Sequence, residues 1–284
     1  MPLTNGQATK DAPYCVGYHP NPSTPKHPFP SGACDTHAHI CGPEASVPYH
    51  PARIYTPPDA LLPAYESMLK ILGVERMVLV QPSIYGEDNS VMLKAMKETS
   101  LPARGVAVVS IEIEQAELEA LHQAGIRGVR FNLVDVKNPT AGLPIAELTA
   151  FAERIKPMDW HVEFLVHVDD YPDFKTLFQD FPTEIVVGHF GYYRPGCVLD
   201  HPGFQGLLEL AELGRCWVKL TGPYRISAED MPYADVDSFA DALISRAPHR
   251  LLWGSDWPHV MMKKTMPDDG HLAAVLARYA SSKE

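Results

Sequence analysis

The stretch ALLPAYESMLKILGVERMVLVQPS, residues 60–83, holds two periodicities end to end. Up to Gly73 its apolar residues recur three and four apart, the spacing of one face of a helix, and the glycine marks where such a helix would stop. From Glu75 the pattern shortens to an apolar, β-branched run closed by Pro82 and Ser83, which reads as a strand. One helix followed by one strand says little, so the question is whether the unit recurs.

It does recur. Runs of the strand type are ACDTHAH (33–39), ERMVLVQPS (75–83), ARGVAVVS (103–110), GIRGVRFN (125–132), WHVEFLVH (160–167), EIVVGHFG (184–191), RCWVKLTG (215–222) and RLLWGSDW (250–257). Between them lie further stretches with helical spacing, IEQAELEALHQAG, IAELTAFAERI, FQGLLELAELG and DVDSFADALISRA, and HLAAVLARYA follows the last run. Strands alternating with helices imply parallel strands and right-handed crossovers, hence a doubly wound sheet or a (β/α)8 barrel. Eight units in about 250 residues is the usual size of the barrel. No strand is followed by the glycine-rich phosphate turn that nucleotide-binding doubly wound folds carry. The expectation is an α/β protein with a single (β/α)8 TIM barrel over residues 33–284. Residues 1–32 hold seven prolines and no apolar periodicity, which reads as an extended arm, either laid over the surface or partly disordered.

With 284 residues, 45% of them hydrophobic, the chain can bury one large core. No apolar run approaches the roughly 18 residues of a membrane span, and the first twenty residues lack both halves of a secretory signal. The five cysteines are scattered and never in CxxC spacing, which argues against a disulfide framework or a cysteine zinc module and fits a reducing, cytoplasmic setting. A formal net charge of −11 without a basic run repels nucleic acid and acidic membranes, so neither is an expected partner. An anionic small molecule would need arginines gathered locally. The sequence leaves a homo-oligomer open.

Reactive groups in a barrel enzyme sit at the C-terminal ends of the strands, where the loops form the open mouth. The predicted strand ends carry His37 and His39, Ser83, Arg127 and Arg130, His167, His189, Lys219 with Arg225 just beyond, and Asp256. Residues two apart in a strand share a face, so His37 and His39 point the same way. Taken alone an HxH pair is more often structural. Imidazoles together with a carboxylate are the donor set that Zn²⁺ takes in catalytic sites, and the other strand-end groups raise that reading. Arg127, three residues from Arg130, faces the opposite side. Lys219 reads equally well as a substrate contact or as a core lysine paired with a carboxylate. His161 and His201 read as surface or loop residues, His259 as a residue that orients the Asp256 loop, Trp253 and Trp257 as packing around it, and Asp268 and Asp269 as a turn and helix cap.

These residues also carry a resemblance. DTHAH, VVGHFG and LLWGSDWPH resemble the amidohydrolase superfamily, and within it the amidohydrolase-related branch that holds pyrone dicarboxylate lactonases and other lactone hydrolases. The likeness runs from about Gly32 to Gly270 through VQPSIYGEDN, GIRGVRFN, WVKLTGPYR and MPDDG. It implies a distorted (β/α)8 barrel that opens a small carboxylated or sulfonated lactone or pyrone ring with an activated water. In that pattern Asp256 is the general base, and His37, His39 and His189 polarise the lactone carbonyl. Tyr55, Ser83, Arg130 and Arg225 match the positions that grip substrate carboxylates, and Arg194, in the divergent GYYRPG, joins Lys219 as a further candidate. The pyrone lactonase pattern works without a metal and ends its fifth strand in a glutamate preceded by a tyrosine. Here His167 replaces the acid and Leu165 the tyrosine. The first change makes His37, His39, His167 and Asp256 match the mononuclear zinc pattern of other members, so one divalent metal, Zn²⁺, is the expected cofactor, with the metal-free route as the alternative. The rival readings are a metal-dependent decarboxylase or hydratase of the same superfamily, and a non-catalytic anion-binding barrel.

Overall fold

The computed structural model describes residues 12–134 and 143–279. In chain order the elements are β1 (Cys34–Ala38), α1 (Leu62–Leu72), β2 (Arg76–Val80), α2 (Ser90–Glu98), β3 (Ala103–Ala107), α3 (Gln115–Gln123), β4 (Ile126–Asn132) and α4 (Ile145–Ile155). They continue as β5 (His161–Leu165), α5 (Phe174–Phe178), β6 (Ile185–Val187), α6 (Pro202–Glu212), β7 (Cys216–Leu220), α7 (Asp237–Arg246), β8 (Leu251–Trp253) and α8 (Asp269–Tyr279). All eight predicted strands are present, each inside the run that announced it. Their order in the sheet is β1 to β8 in succession, so the fold is a (β/α)8 barrel.

The chain divides into two compact units, Met1–Ile126 with Gly254–Arg278, and Arg127–Trp253 with Tyr279–Glu284. In the first, β1 pairs with β2 and β2 with β3, all parallel, and the β1 register shifts between Asp35 and Ala38. Helix α1 forms where the sequence places it: Pro63 sits in its first turn, and Gly73 ends it at φ 79°, its N–H bonded back to the Leu69 and Lys70 carbonyls. Leu62, Tyr65, Met68, Leu69 and Leu72 form its buried stripe. Helix α2 was not legible, because its buried stripe is only Val91, Met92 and Ala95 and no side chain caps it.

In the second unit β4 to β8 pair in parallel, each with the next. Helix α5, also missed, is five residues long and too short to stand alone. Its Phe178 ring lies 4.9 Å from both Phe164 of β5 and Phe174, so burial of aromatic surface, about 1.5–3 kcal/mol for each ring, replaces helical propensity. Helix α6 meets the turn after β5 so closely that a Cβ on Gly203 would stand 1.9 Å from the Val168 carbonyl oxygen. Only glycine permits that contact, and it fixes the turn next to His167.

One expectation fails here. His161 is not a loop residue but the first residue of β5, in register with Gly128 of β4 and lying over it, where a Cβ would come within 2.6 Å of the imidazole. A glycine on the neighbouring strand makes room for the ring, which remains partly exposed. Burial pushes its pKa from 6.5 down to about 4, so the fold holds it neutral. The unfolded chain therefore binds the proton more readily, and this contribution to stability is lost as pH falls from about 6.5 to about 4. His161→Asn is expected to flatten that loss, by up to about 3 kcal/mol over the window. Urea unfolding at pH 7, 5.5 and 4.5 checks it, and parallel pH profiles for variant and wild type would contradict it.

Candidate active site

The first unit builds its polar centre from β1 outward. Asp35 and His37 lie in β1 and His39 directly after it, and the segment 254–257 runs beside them. The Asp256 N–H donates to the His37 carbonyl at 2.8 Å and the His39 N–H to the Trp257 carbonyl at 2.8 Å. This brings Asp256 to the histidine pair. His37 Nε2 lies 3.8 Å from Asp256 Oδ1, and the two imidazoles meet edge to face with centroids 5.0 Å apart. His37, His39 and Asp256 are all buried, and one donor atom from each lies within 4.8 Å of the others. His39 Nδ1 is 2.7 Å from the Val80 carbonyl, which can only accept, so the proton belongs on Nδ1 and Nε2 presents its lone pair. A carbonyl orienting a ligating histidine from behind is the arrangement that metal sites use.

The residue that holds this centre is Asp35, which sequence reasoning passed over. Its Oδ1 accepts from the His37 N–H (3.0 Å) and the Ser255 N–H (2.9 Å). Its Oδ2 accepts from the Tyr65 hydroxyl (2.9 Å) and the Ser255 hydroxyl (2.5 Å). Burial pushes the Asp35 carboxyl up, while these donors pull it the other way. Tyr65 is pushed well up by its own burial and by Asp35, so it remains a donor. The signal was available: an aspartate two residues before HxH.

Beyond Asp35 the backbone is strained. Asp256, His259 and Met261 have φ of 64°, 59° and 58°, a conformation that costs a non-glycine residue about 1–3 kcal/mol and persists only where the surroundings impose it. His259 is buried, donates its N–H to the Asp256 carbonyl at 2.8 Å, and sets Nε2 3.0 Å from Asp269. It orients the loop, as the sequence suggested. Tyr55 is buried in the segment after β1, and Ser83 opens a 3-10 turn directly after β2.

The second unit carries the remaining candidates. His167 follows β5 by two residues. Its Nδ1 is 2.5 Å from the Tyr192 carbonyl and its ring stacks on Tyr192 at 4.8 Å. That contact occupies Nδ1 and leaves Nε2 over. His189, buried after β6, has Nδ1 2.8 Å from the Thr221 hydroxyl and 3.2 Å from the Thr221 carbonyl. Arg130 is buried inside β4, two residues short of its end, and Arg127 lies at the opposite end of the strand, so neither closes β4 as expected. Arg225 ends the 3-10 turn after β7, its guanidinium 5.4 Å from the Tyr224 ring.

Two of the candidate substrate cations have carboxylate partners within the protein. Lys219 Nζ lies 2.6 Å from Glu163 Oε2, both buried, an ion pair of the kind that one of its two readings expects. Arg194 bonds Asp169 at 2.9 Å and, in a two-point fork, Asp170 at 2.8 Å, holding the Asp170 carboxyl below the usual carboxylate range. It ties the turn after β5 to the loop after β6. Glu163, Asp169 and Asp170 stand in other parts of the sequence, so spacing alone could not announce the pairings.

The sequence pattern of the amidohydrolase family matches residues 34–284. The 2-pyrone-4,6-dicarboxylate hydrolase of Comamonas testosteroni is 38% identical over 283 residues, covering 96% of this chain and 92% of its own. The 4-sulfomuconolactone hydrolase of Rhizobium radiobacter is 38% identical over 274 residues, covering 94% and 90%. Among solved structures, a probable 2-pyrone-4,6-dicarboxylic acid hydrolase from Acinetobacter baumannii with citric acid bound superimposes with a TM-score of 0.77 at 25% identity, over 88% of this chain and 93% of that one. No helix among the described residues is long and apolar enough to cross a membrane. With a pattern matched over most of its length and hydrolases related along nearly all of it, the chain belongs to the amidohydrolase family and is an enzyme.

Proposed function

We propose that this enzyme hydrolyses a small anionic lactone, with Asp256 as general base. The observation that carries the reading is the convergence of His37, His39 and Asp256, all buried, with donor atoms within 4.8 Å of one another. The relatives named for pyrone dicarboxylate and sulfomuconolactone supply the substrate class: a ring ester bearing carboxylate or sulfonate groups.

Asp256 takes a proton from the attacking water as the new bond to the lactone carbonyl carbon forms. The ring C–O bond then breaks, the ring oxygen leaves as the hydroxyl or enol of the opened acid, and the proton returns from Asp256 to it. His189 is the donor to the carbonyl oxygen. The Thr221 carbonyl can only accept and the Thr221 hydroxyl can accept as well, so a neutral His189 carries its proton on Nδ1, and Nε2 donates to the negative charge that develops on attack when the ring holds its second proton. Arg130 and Arg225 hold the anionic groups, since a planar guanidinium matches a carboxylate at two points. Arg194 and Lys219 are already committed to carboxylates of the protein.

His39 bears on the choice between the metal-dependent and metal-free routes. With its proton on Nδ1, neutral His39 has no hydrogen at Nε2 to give a carbonyl oxygen, but it has a lone pair to give a cation. His37, His39 and Asp256 therefore fit one divalent ion. His167 is the further proposed ligand, through the Nε2 that its contact with Tyr192 leaves over. Two or three imidazoles and a carboxylate suit Zn²⁺. Such an ion would supply Lewis-acid polarisation of the lactone carbonyl and a lowered pKa for water.

Asp256→Asn is expected to lower kcat by about 10²–10⁴-fold on 4-sulfomuconolactone or pyrone dicarboxylate, read by a pH-indicator assay that also confirms the absence of CO₂ release. Unchanged turnover would remove Asp256 as base, release of CO₂ would favour a decarboxylase, and ligand binding without any turnover by the wild type would favour a non-catalytic barrel. Metal analysis of purified protein should find about one equivalent, and exhaustive chelation should abolish activity that Zn²⁺ restores. Full activity in metal-free protein would establish the alternative route. Asp35→Asn replaces one of the two accepting oxygens with a donor and so removes two of the four accepting contacts. Loss of about 1–3 kcal/mol in urea unfolding and a fall in kcat are the expected results, and a variant with wild-type stability and rate would show that Asp35 does not organise the centre.

A further inference from the structure

The described part of the N-terminal arm, residues 12–32, does more than cover surface. It enters the first unit as an added backbone pair beside the segment after β1: the Cys15 N–H donates to the Thr56 carbonyl (2.8 Å), the Thr56 N–H to the Pro13 carbonyl (2.8 Å), and the Thr56 hydroxyl to the Ala12 carbonyl (2.9 Å). From there it touches the loop that carries Asp256 at three successive points. The Cys15 sulfur accepts from the Met261 N–H at 3.3 Å. The Tyr18 ring lies 4.7 Å from the Trp257 ring. The Ser23 N–H and hydroxyl both bond the Asp268 carboxylate, at 2.9 and 2.7 Å.

Each contact falls on a residue with a structural tie to Asp256. Trp257 follows it, accepts the His39 N–H on its carbonyl, and stacks with Tyr65 at 5.2 Å. Met261 is one of the three non-glycine residues held at positive φ in this loop. Asp268 precedes Asp269, the partner of His259, whose N–H is bonded to the Asp256 carbonyl. A loop of this kind does not hold its shape by its own preferences, because each left-handed residue would relax if released. Fit to the arm is also written into α8: a Cβ on Gly270 would stand 2.1 Å from the Ser23 carbonyl oxygen, so the arm and the helix start approach as closely as a glycine allows.

We propose that the arm is a positioning device for Asp256, with Tyr18 acting through Trp257, Cys15 through Met261, and Ser23 through Asp268. Its function is to keep the base aimed. The assignment rests on the reading of Asp256 as the catalytic base, and a displacement of about 1 Å in such a group lowers a rate by up to about a hundredfold.

Two variants displace the arm without altering any residue of the polar centre. Tyr18→Ala removes the ring contact, and Gly270→Ala, which suits a helix better than glycine does, forces the arm off α8. Full-length protein is examined by hydrogen exchange of the 254–264 segment and by steady-state kinetics on 4-sulfomuconolactone. In both variants the segment is expected to exchange about tenfold faster or more. The same variants should lower kcat about ten- to a hundredfold, with KM moved far less, and Tyr18→Phe should restore both readings. Ser23→Ala serves if Gly270→Ala does not fold. Unchanged exchange in the displaced variants would overturn the proposal, and so would faster exchange at wild-type kcat. If the wild type opens no lactone, the proposed activity falls by itself, and exchange of the 254–264 segment alone decides whether the arm holds the loop.

Discussion

A single buried carboxylate organises the centre of this enzyme. Asp35 accepts four hydrogen bonds, two from Ser255, one from the His37 backbone and one from Tyr65. A carboxylate without such partners would be too costly to bury, and four donors without a carboxylate would be left unsatisfied. The two requirements meet at one residue, so β1 and the segment before Asp256 are locked in one arrangement. His37 and Asp256 inherit their mutual geometry from it.

Around that lock the protein holds conformations that it would not choose freely. Asp256, His259 and Met261 sit at positive φ, and His189, Phe190 and Tyr192 do so after β6. Strain of this kind gathers where side chains must be aimed rather than merely packed. The surrounding contacts impose it: the His259–Asp269 pair and the arm on one loop, and the Thr221 and Tyr192 contacts of His189 and His167 on the other.

The predicted strands agreed with the structure because buried parallel strands are written as continuous apolar runs, which a sequence displays directly. Helices with a long stripe, such as α1 and α4, were legible for the same reason. Helix α5 was not, since three aromatic rings rather than a periodic pattern hold it. The place of His161 in β5 was missed because its ring sits over a glycine on the neighbouring strand, which only the sheet register reveals. The carboxylate partners of Arg194 and Lys219 were not legible, because Asp169, Asp170 and Glu163 stand far from them in the chain and meet them only in space.

The sequence by itself determined the class of fold, the eight strands, and the residue types gathered at their ends, since those depend on local periodicity and composition. Only the tertiary structure decided that His37, His39 and Asp256 converge, that Asp35 holds them, and that the proline-rich arm lies on the loop of Asp256. These depend on contacts between residues as far apart as Asp35 and Ser255, or Cys15 and Met261. Periodicity is a property of neighbours along the chain, whereas hydrogen bonds that satisfy a buried carboxylate are a property of neighbours in space.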